Sequence, residues 1–244
     1  SWHKAKRMVA ISRELKFPLM AGSSIPVAYR PGGVDLEWGA KARHAVSIFY
    51  GDADAYGFHM LEGLQCMVER RHGGETGVKA VQYLEKQAMW DWVSQTPWAA
   101  RLLDAALAQA LHRNPGDIRQ LGRDAYVYRV EYRDGLEAAA FMMNGVAKEG
   151  ATAVEVDGRK DPVATLMWIE DARPFQHFAC LIQAIEKMFE SGKPTYPVER
   201  TLLTGGILEE ILNSRADNHK RRETPHLAVK YAAPAKSFFC TAKL

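Results

Sequence analysis

The sequence predicts an α+β fold: an open, largely antiparallel sheet with helices on one face. Three observations carry this. Asp134-Gly135 joins two runs of β-type residues, and Asp-Gly tolerates the positive φ of a tight hairpin turn. Roughly six strand-like segments fall between residues 44 and 169. Amphipathic segments at both ends can cover the face such a sheet must bury.

In chain order, Trp2, Ala5, Met8, Val9, Ser12 and Leu15 have the spacing of an amphipathic helix over residues 1–16. Residues 17–21, Phe-Pro-Leu-Met-Ala, read as a short strand buried on both sides. Gly22-Ser23-Ser24 is a turn, and Pro31-Gly32-Gly33 is a break. The break suggests a division into a short leading unit, residues 1–35, and a main unit, residues 36–244. Residues 44–50 read as a strand and 55–71 as a helix that Gly73-Gly74 ends. Residues 78–84 are a strand, followed by two helical pieces, the second started by Pro97. Residues 125–132 and 137–146 form the hairpin, and 153–156 and 163–169 are two further strands. Residues 174–190 are a helix striped with Phe178, Leu181, Ile182, Ile185 and Phe189 and stopped by Gly192. Pro197 starts the last helix, which runs to Ser214. Tyr126, Tyr128 and Tyr132 suggest a partly apolar open face and hence a homo-oligomer interface.

The chain has 244 residues, 47% apolar and 25% charged, enough to build a substantial core. A formal charge of only +3 argues against nucleic acid as the main partner. No run of about 18 apolar residues is present to span a membrane. The three cysteines, Cys66, Cys180 and Cys240, are odd in number and far apart, which reads as reduced, cytoplasmic usage.

Tyr56-Gly57-Phe58-His59-Met60-Leu61-Glu62, at a strand-to-helix step, resembles the Gly-x-His-x-x-Asp segment of the glucose-fructose oxidoreductase, inositol dehydrogenase and MocA family. Gly192-Lys193-Pro194, Pro197-Val198-Glu199 and the helix ending at Ser214 are similar to that family's C-terminal signature. Residues 1–30 resemble the last step of its nucleotide-binding domain. The resemblance implies a Rossmann domain binding NAD(P), an open-sheet substrate domain, and a sugar or polyol substrate.

The chain departs from that pattern. No Gly-x-Gly-x-x-Gly lies between a strand and a helix, the arrangement that holds a pyrophosphate. Gly73-Gly74-Glu75-Thr76-Gly77 follows a helix instead, and Ala55 stands where the family often has Asp. The Glu-Lys-Pro element supplying the family's lysine would precede residue 1. The chain by itself is therefore not expected to bind a dinucleotide.

His59 and Glu62 are the candidate catalytic residues. Three apart on a helix they share a face, with His59 as acid/base on a hydroxyl and Glu62 orienting the ring or a sugar hydroxyl. The competing reading is a buried polar pair. Arg70 or Arg71 could grip a sugar or carboxylate bidentately, or simply complement a helix end. Ser23 and Ser24 could touch a ligand beyond a strand end, or form a plain turn. A metal on His59, Glu62 and His72 or Glu69 lacks ligand spacing, and no metal is expected. Met89, Trp90, Trp92 and Trp98 read as packing before sugar stacking, Lys220-Arg221-Arg222 as solvated surface. Three functions stay open: the substrate part of an NAD(P)-dependent dehydrogenase, a non-catalytic binding or assembly module, and a carbohydrate hydrolase or lyase using His59 and Glu62.

Overall fold

A computed structural model describes residues 1–170 and 172–242. The elements run α1 (Trp2–Glu14), β1 (Ala42–Phe49), α2 (Ala55–Val68), β2 (Val78–Glu85), α3 (Lys86–Gln95), α4 (Pro97–Leu107) and the single turn α5 (Ile118–Leu121). Then follow β3 (Tyr126–Tyr132), β4 (Glu137–Met142), β5 (Gly150–Val156), β6 (Val163–Met167), α6 (His177–Ser191), α7 (Glu199–Ala216) and β7 (Arg222–Glu223). The fold is α+β, built on a 7-stranded open sheet ordered β6-β5-β1-β4-β3-β2-β7. All neighbours are antiparallel except β1 and β4, which pair in parallel from His44↔Glu137 to Phe49↔Met142.

The sheet's pleat sorts its residues into two cores. From β1, Ala45 and Phe49 face α2 together with Tyr128, Val130 and Met142, and α7 and α1 close this side through Leu203, Ile207, Trp2 and Val9. Val46 and Ile48 point the other way, with Val127, Ala139 and Phe141, onto α3 and α4. The expectation of helices on one face holds for α1, α2 and α7 but not for α3 and α4, which pack on the second face. Trp90 packs in this second core, Trp92 lies beneath Arg129, and Trp98 stacks on His44 at 4.6 Å. The tryptophans thus fasten α3 and α4 to the sheet.

Three expectations need correction. Residues 17–21 form no strand, and among the described residues no strand precedes β1. Pro18 has no N–H to give a ladder, Phe17 is exposed, and the Ala21 carbonyl accepts from the Thr201 hydroxyl of α7 instead. The tyrosines do not make an open apolar face: Tyr126, Tyr128 and Tyr132 are buried on the α2 side. The part of the second face beyond α3 and α4 carries Gln82, Arg129, Glu131 and Glu137, with Arg129 donating to Gln82 Oε1. Finally, Cys180 and Cys240 form a disulfide with Cα atoms 5.9 Å apart. Distance in sequence hid this pairing, because the C-terminal tail folds back along residues 27–30. Cys240 N donates to Val27 O and Arg30 N to Cys240 O, which brings the tail against α6. Cys66 is buried and free.

Candidate functional site

β1 and β4 end side by side, at Phe49 and Met142, and the chain leaves both toward the same end of the sheet. Ligands collect beyond the carboxyl ends of parallel strands, where the chain splays apart. Here that end opens into a cavity of about 560 Å³, lined by Ser24, Tyr50, Tyr56, His59, Lys148 and Glu170, by Phe175 just before α6, and by His177 and Phe178 in its first turn.

His59 stands in the second turn of α2, half-buried. Its Nδ1 lies 2.7 Å from Ser23 Oγ, which also accepts from Ile25 N–H at 3.0 Å. With Nδ1 taken in either tautomer, Nε2 is the ring atom left for a ligand. When Nδ1–H donates to Ser23, Nε2 carries a lone pair and is a base. Burial holds the His59 pKa below its usual 6.5, so the ring is neutral near pH 7. His177 complements it. Its Nδ1 accepts from Glu170 N–H at 3.1 Å, which leaves the ring proton on Nε2. Burial lowers its pKa also, partly offset by Glu170. One cavity therefore holds an imidazole able to accept a proton and another able to donate a hydrogen bond.

Glu62 is fully buried and lines no part of this cavity. Its Oε1 accepts from the Thr204 hydroxyl at 2.5 Å and its Oε2 from Ser23 N–H at 3.5 Å. Burial raises its pKa, opposed chiefly by the Arg200 charge. Ser23 links the two: its N–H donates to the glutamate and its Oγ meets His59 Nδ1. This contact demands glycine at 22, whose φ is +139° and where a Cβ would lie 2.6 Å from Glu62 Oε2.

Arg70 and Arg71 are not brought to the cavity. Arg70 donates to Leu36 O, Pro234 O and Ala235 O and pairs with Asp35. Arg71 is bound by Glu75 and Asp134. Their donors are spent on protein acceptors, so neither offers a free fork to a substrate. Ser23 and Ser24 do come to the site, the first through His59 and the second in the cavity wall. His177, Lys148, Glu170 and Tyr50 were missed in the sequence. They come from loops and a helix start that carry no motif; the one signal was an isolated polar Glu170…His177 pair before the α6 stripe. Among the described residues no group of three or more His, Cys, Asp or Glu side chains could hold a metal ion.

The turn from β1 into α2 is where a strand-to-helix step could seat a dinucleotide. A pyrophosphate needs free N–H groups and no nearby anion. Asp52 Oδ1 already accepts from Asp54 N–H and Ala55 N–H at the start of α2, and Asp54 adds a second carboxylate. These residues do not fit a dinucleotide.

No family model matches the chain, and no curated protein matches it in sequence. Solved structures do. GenD2 from gentamicin A biosynthesis, in complex with NAD, superposes with a TM-score of 0.55 at 16% identity, covering 91% of this chain and 68% of that one. A probable dehydrogenase from Thermotoga maritima gives 0.51 at 9% identity, covering 93% and 71%. The chain shares the fold of these two structures. The first is a complex with NAD and the second is described as a probable dehydrogenase; the chain spans about two thirds of their length. No helix among the described residues is long and apolar enough to cross a membrane.

Proposed function

We propose that this chain is the substrate-holding part of an NAD(P)-dependent oxidoreductase acting on a sugar or polyol, with residues 1–35 as its link toward a nucleotide-binding unit. The observation that carries the reading is His59: its Nδ1 is fixed by Ser23, and the ring stands in a cavity at the carboxyl ends of the parallel pair. A substrate hydroxyl placed at Nε2 would pass its proton to the imidazole, a general-base step that suits a neutral ring. His177 Nε2–H would hold a neighbouring oxygen. The tyrosine and phenylalanine rings around them offer flat faces for the apolar side of a sugar.

The Asp52 and Asp54 carboxylates at the β1–α2 turn do not suit a pyrophosphate, so no hydride step is assigned to that turn. A second reading is that the same cavity binds its ligand without turnover. A hydrolase or lyase using Glu62 is not supported, because the carboxylate is sealed away from the cavity. The expectation of a cytoplasmic location rested on reduced thiols, and the Cys180–Cys240 disulfide removes that support.

Saturation-transfer NMR on the chain with hexoses and inositol tests the reading. At least one should bind, and His59→Ala should weaken it tenfold or more. Binding that is indifferent to His59→Ala, or no binding at all, overturns the proposal. NAD(H) should leave the melting temperature of the chain unchanged.

A further inference from the structure

A second cavity of about 460 Å³ adjoins the first and shares Lys148, Ile169 and Glu170 with it as a common wall. Its lining also includes Glu149, which immediately precedes β5 and is buried. Glu149 Oε1 accepts two bonds from one residue, His112 N–H at 3.0 Å and His112 Nδ1–H at 2.7 Å. Its Oε2 is buried and has no hydrogen-bond partner among the described residues. A buried carboxylate oxygen without a donor is costly, and native proteins seldom keep one without a use.

The walls around this oxygen are fixed before any ligand arrives. Asn114 N–H donates to Val146 O and Asn114 Nδ2 to Gly145 O, and Arg113 bridges Ala147, so the segment carrying His112 is fastened to the one carrying Glu149. On the opposite side Trp168 N–H donates to Tyr29 O, directly after the last ladder pair Gly150↔Met167. Leu111 and Trp168 add apolar surface beside the polar groups. A preformed, partly apolar cleft with one unsatisfied acceptor suits a neutral hydroxylated ring better than an anion, because Glu149 and Glu170 outnumber Lys148 in its wall.

We propose that this cavity is a second saccharide subsite, and that the ligand is a disaccharide-sized glycoside: one unit lies at His59, and a hydroxyl of the other donates to Glu149 Oε2. The inference rests on the sugar reading of the His59 cavity and extends it to substrate length.

The test is titration calorimetry on the chain with glucose, galactose, mannose and inositol, and with maltose, cellobiose, lactose and trehalose. At least one disaccharide should bind tenfold or more tighter than its constituent monosaccharides. Glu149→Gln keeps an acceptor for His112 but replaces the free oxygen with a donor; it should cut that advantage to within twofold. Leu111→Trp, at an exposed position on the rim, should do the same by narrowing the cleft without touching Glu149. Ser23→Ala should weaken both ligand classes together. A monosaccharide that binds with no disaccharide gaining, or an advantage that survives both variants, overturns the second subsite alone. Absence of all saccharide and polyol binding overturns the sugar reading and this inference with it.

Discussion

Gly22→Ala is the sharpest probe of how the fold holds the site. Gly22 has φ +139°, and an added Cβ would lie 2.6 Å from Glu62 Oε2 and 2.7 Å from Thr201 Oγ1. The backbone conformation alone is worth about 1–3 kcal/mol of strain for an L-residue. Forcing a methyl against two fixed oxygens adds about 1–3 kcal/mol, because Thr201 Oγ1 is tied to Ala21 O and Glu62 Oε2 to Ser23 N–H. The expected loss is about 4 kcal/mol in urea unfolding. The displaced Ser23 should also release His59 and weaken saccharide binding. Gly205→Ala serves as the control: it lies within α7 with nothing within 4 Å of the added methyl. It should gain about 0.5–1 kcal/mol from the better helix propensity. A Gly22→Ala protein within about 1 kcal/mol of the parent would refute the close-packed account of Gly22, Glu62 and Ser23.

Other outcomes follow from the same physics. Glu69, fully buried, accepts from Arg200 Nε, Arg200 Nη2 and the Tyr231 hydroxyl. Glu69→Ala should cost about 3–5 kcal/mol by stranding Arg200, whereas Arg13→Ala at the exposed Arg13–Glu199 pair should cost under about 1 kcal/mol; equal losses by urea unfolding would contradict this. His59 and His177 both hold pKa values below 6.5, so unfolding makes them take up protons in acid. Stability should therefore be fully present above about pH 6.5 and fall as the pH drops through the lowered folded values. Urea midpoints at about pH 8 and pH 5 should show this fall, and it should shrink in a His59→Gln, His177→Gln double variant. The intact mass of the unreduced protein should be two hydrogens lighter than that of the reduced one. Opening the Cys180–Cys240 link, which spans 60 residues, should lower stability by up to about 4 kcal/mol; an unchanged melting temperature under reductant would count against the bond.

Much of the fold was readable from local signals. The Asp134-Gly135 turn, the alternation in β3 and the Gly192 stop of α6 depend on backbone preferences that act within a few residues. What failed depended on distant partners. Residues 17–21 have the apolar content of a strand, yet the acceptor at Ala21 is met by α7. Tyr126, Tyr128 and Tyr132 alternate as an exposed ribbon would, but α2 covers them. Cys180 and Cys240 meet only because the tail reverses. The site was legible in the same proportion: His59 stood on a family-like segment, but its companion His177 arrives from a helix start more than a hundred residues later, with no spacing to announce it.

The parallel pairing of β1 and β4 also shapes how the protein must be made. β1 is central in the sheet, yet both of its neighbours, β4 and β5, lie about ninety residues or more further along the chain. During synthesis this apolar strand waits, with both edges unsatisfied, while β2, α3, α4 and β3 emerge. The hairpin of β3 and β4 is the first element able to seal it. Slow refolding and aggregation of pieces cut short before Glu137 are the expected consequences of placing the first strand of this sheet in its interior.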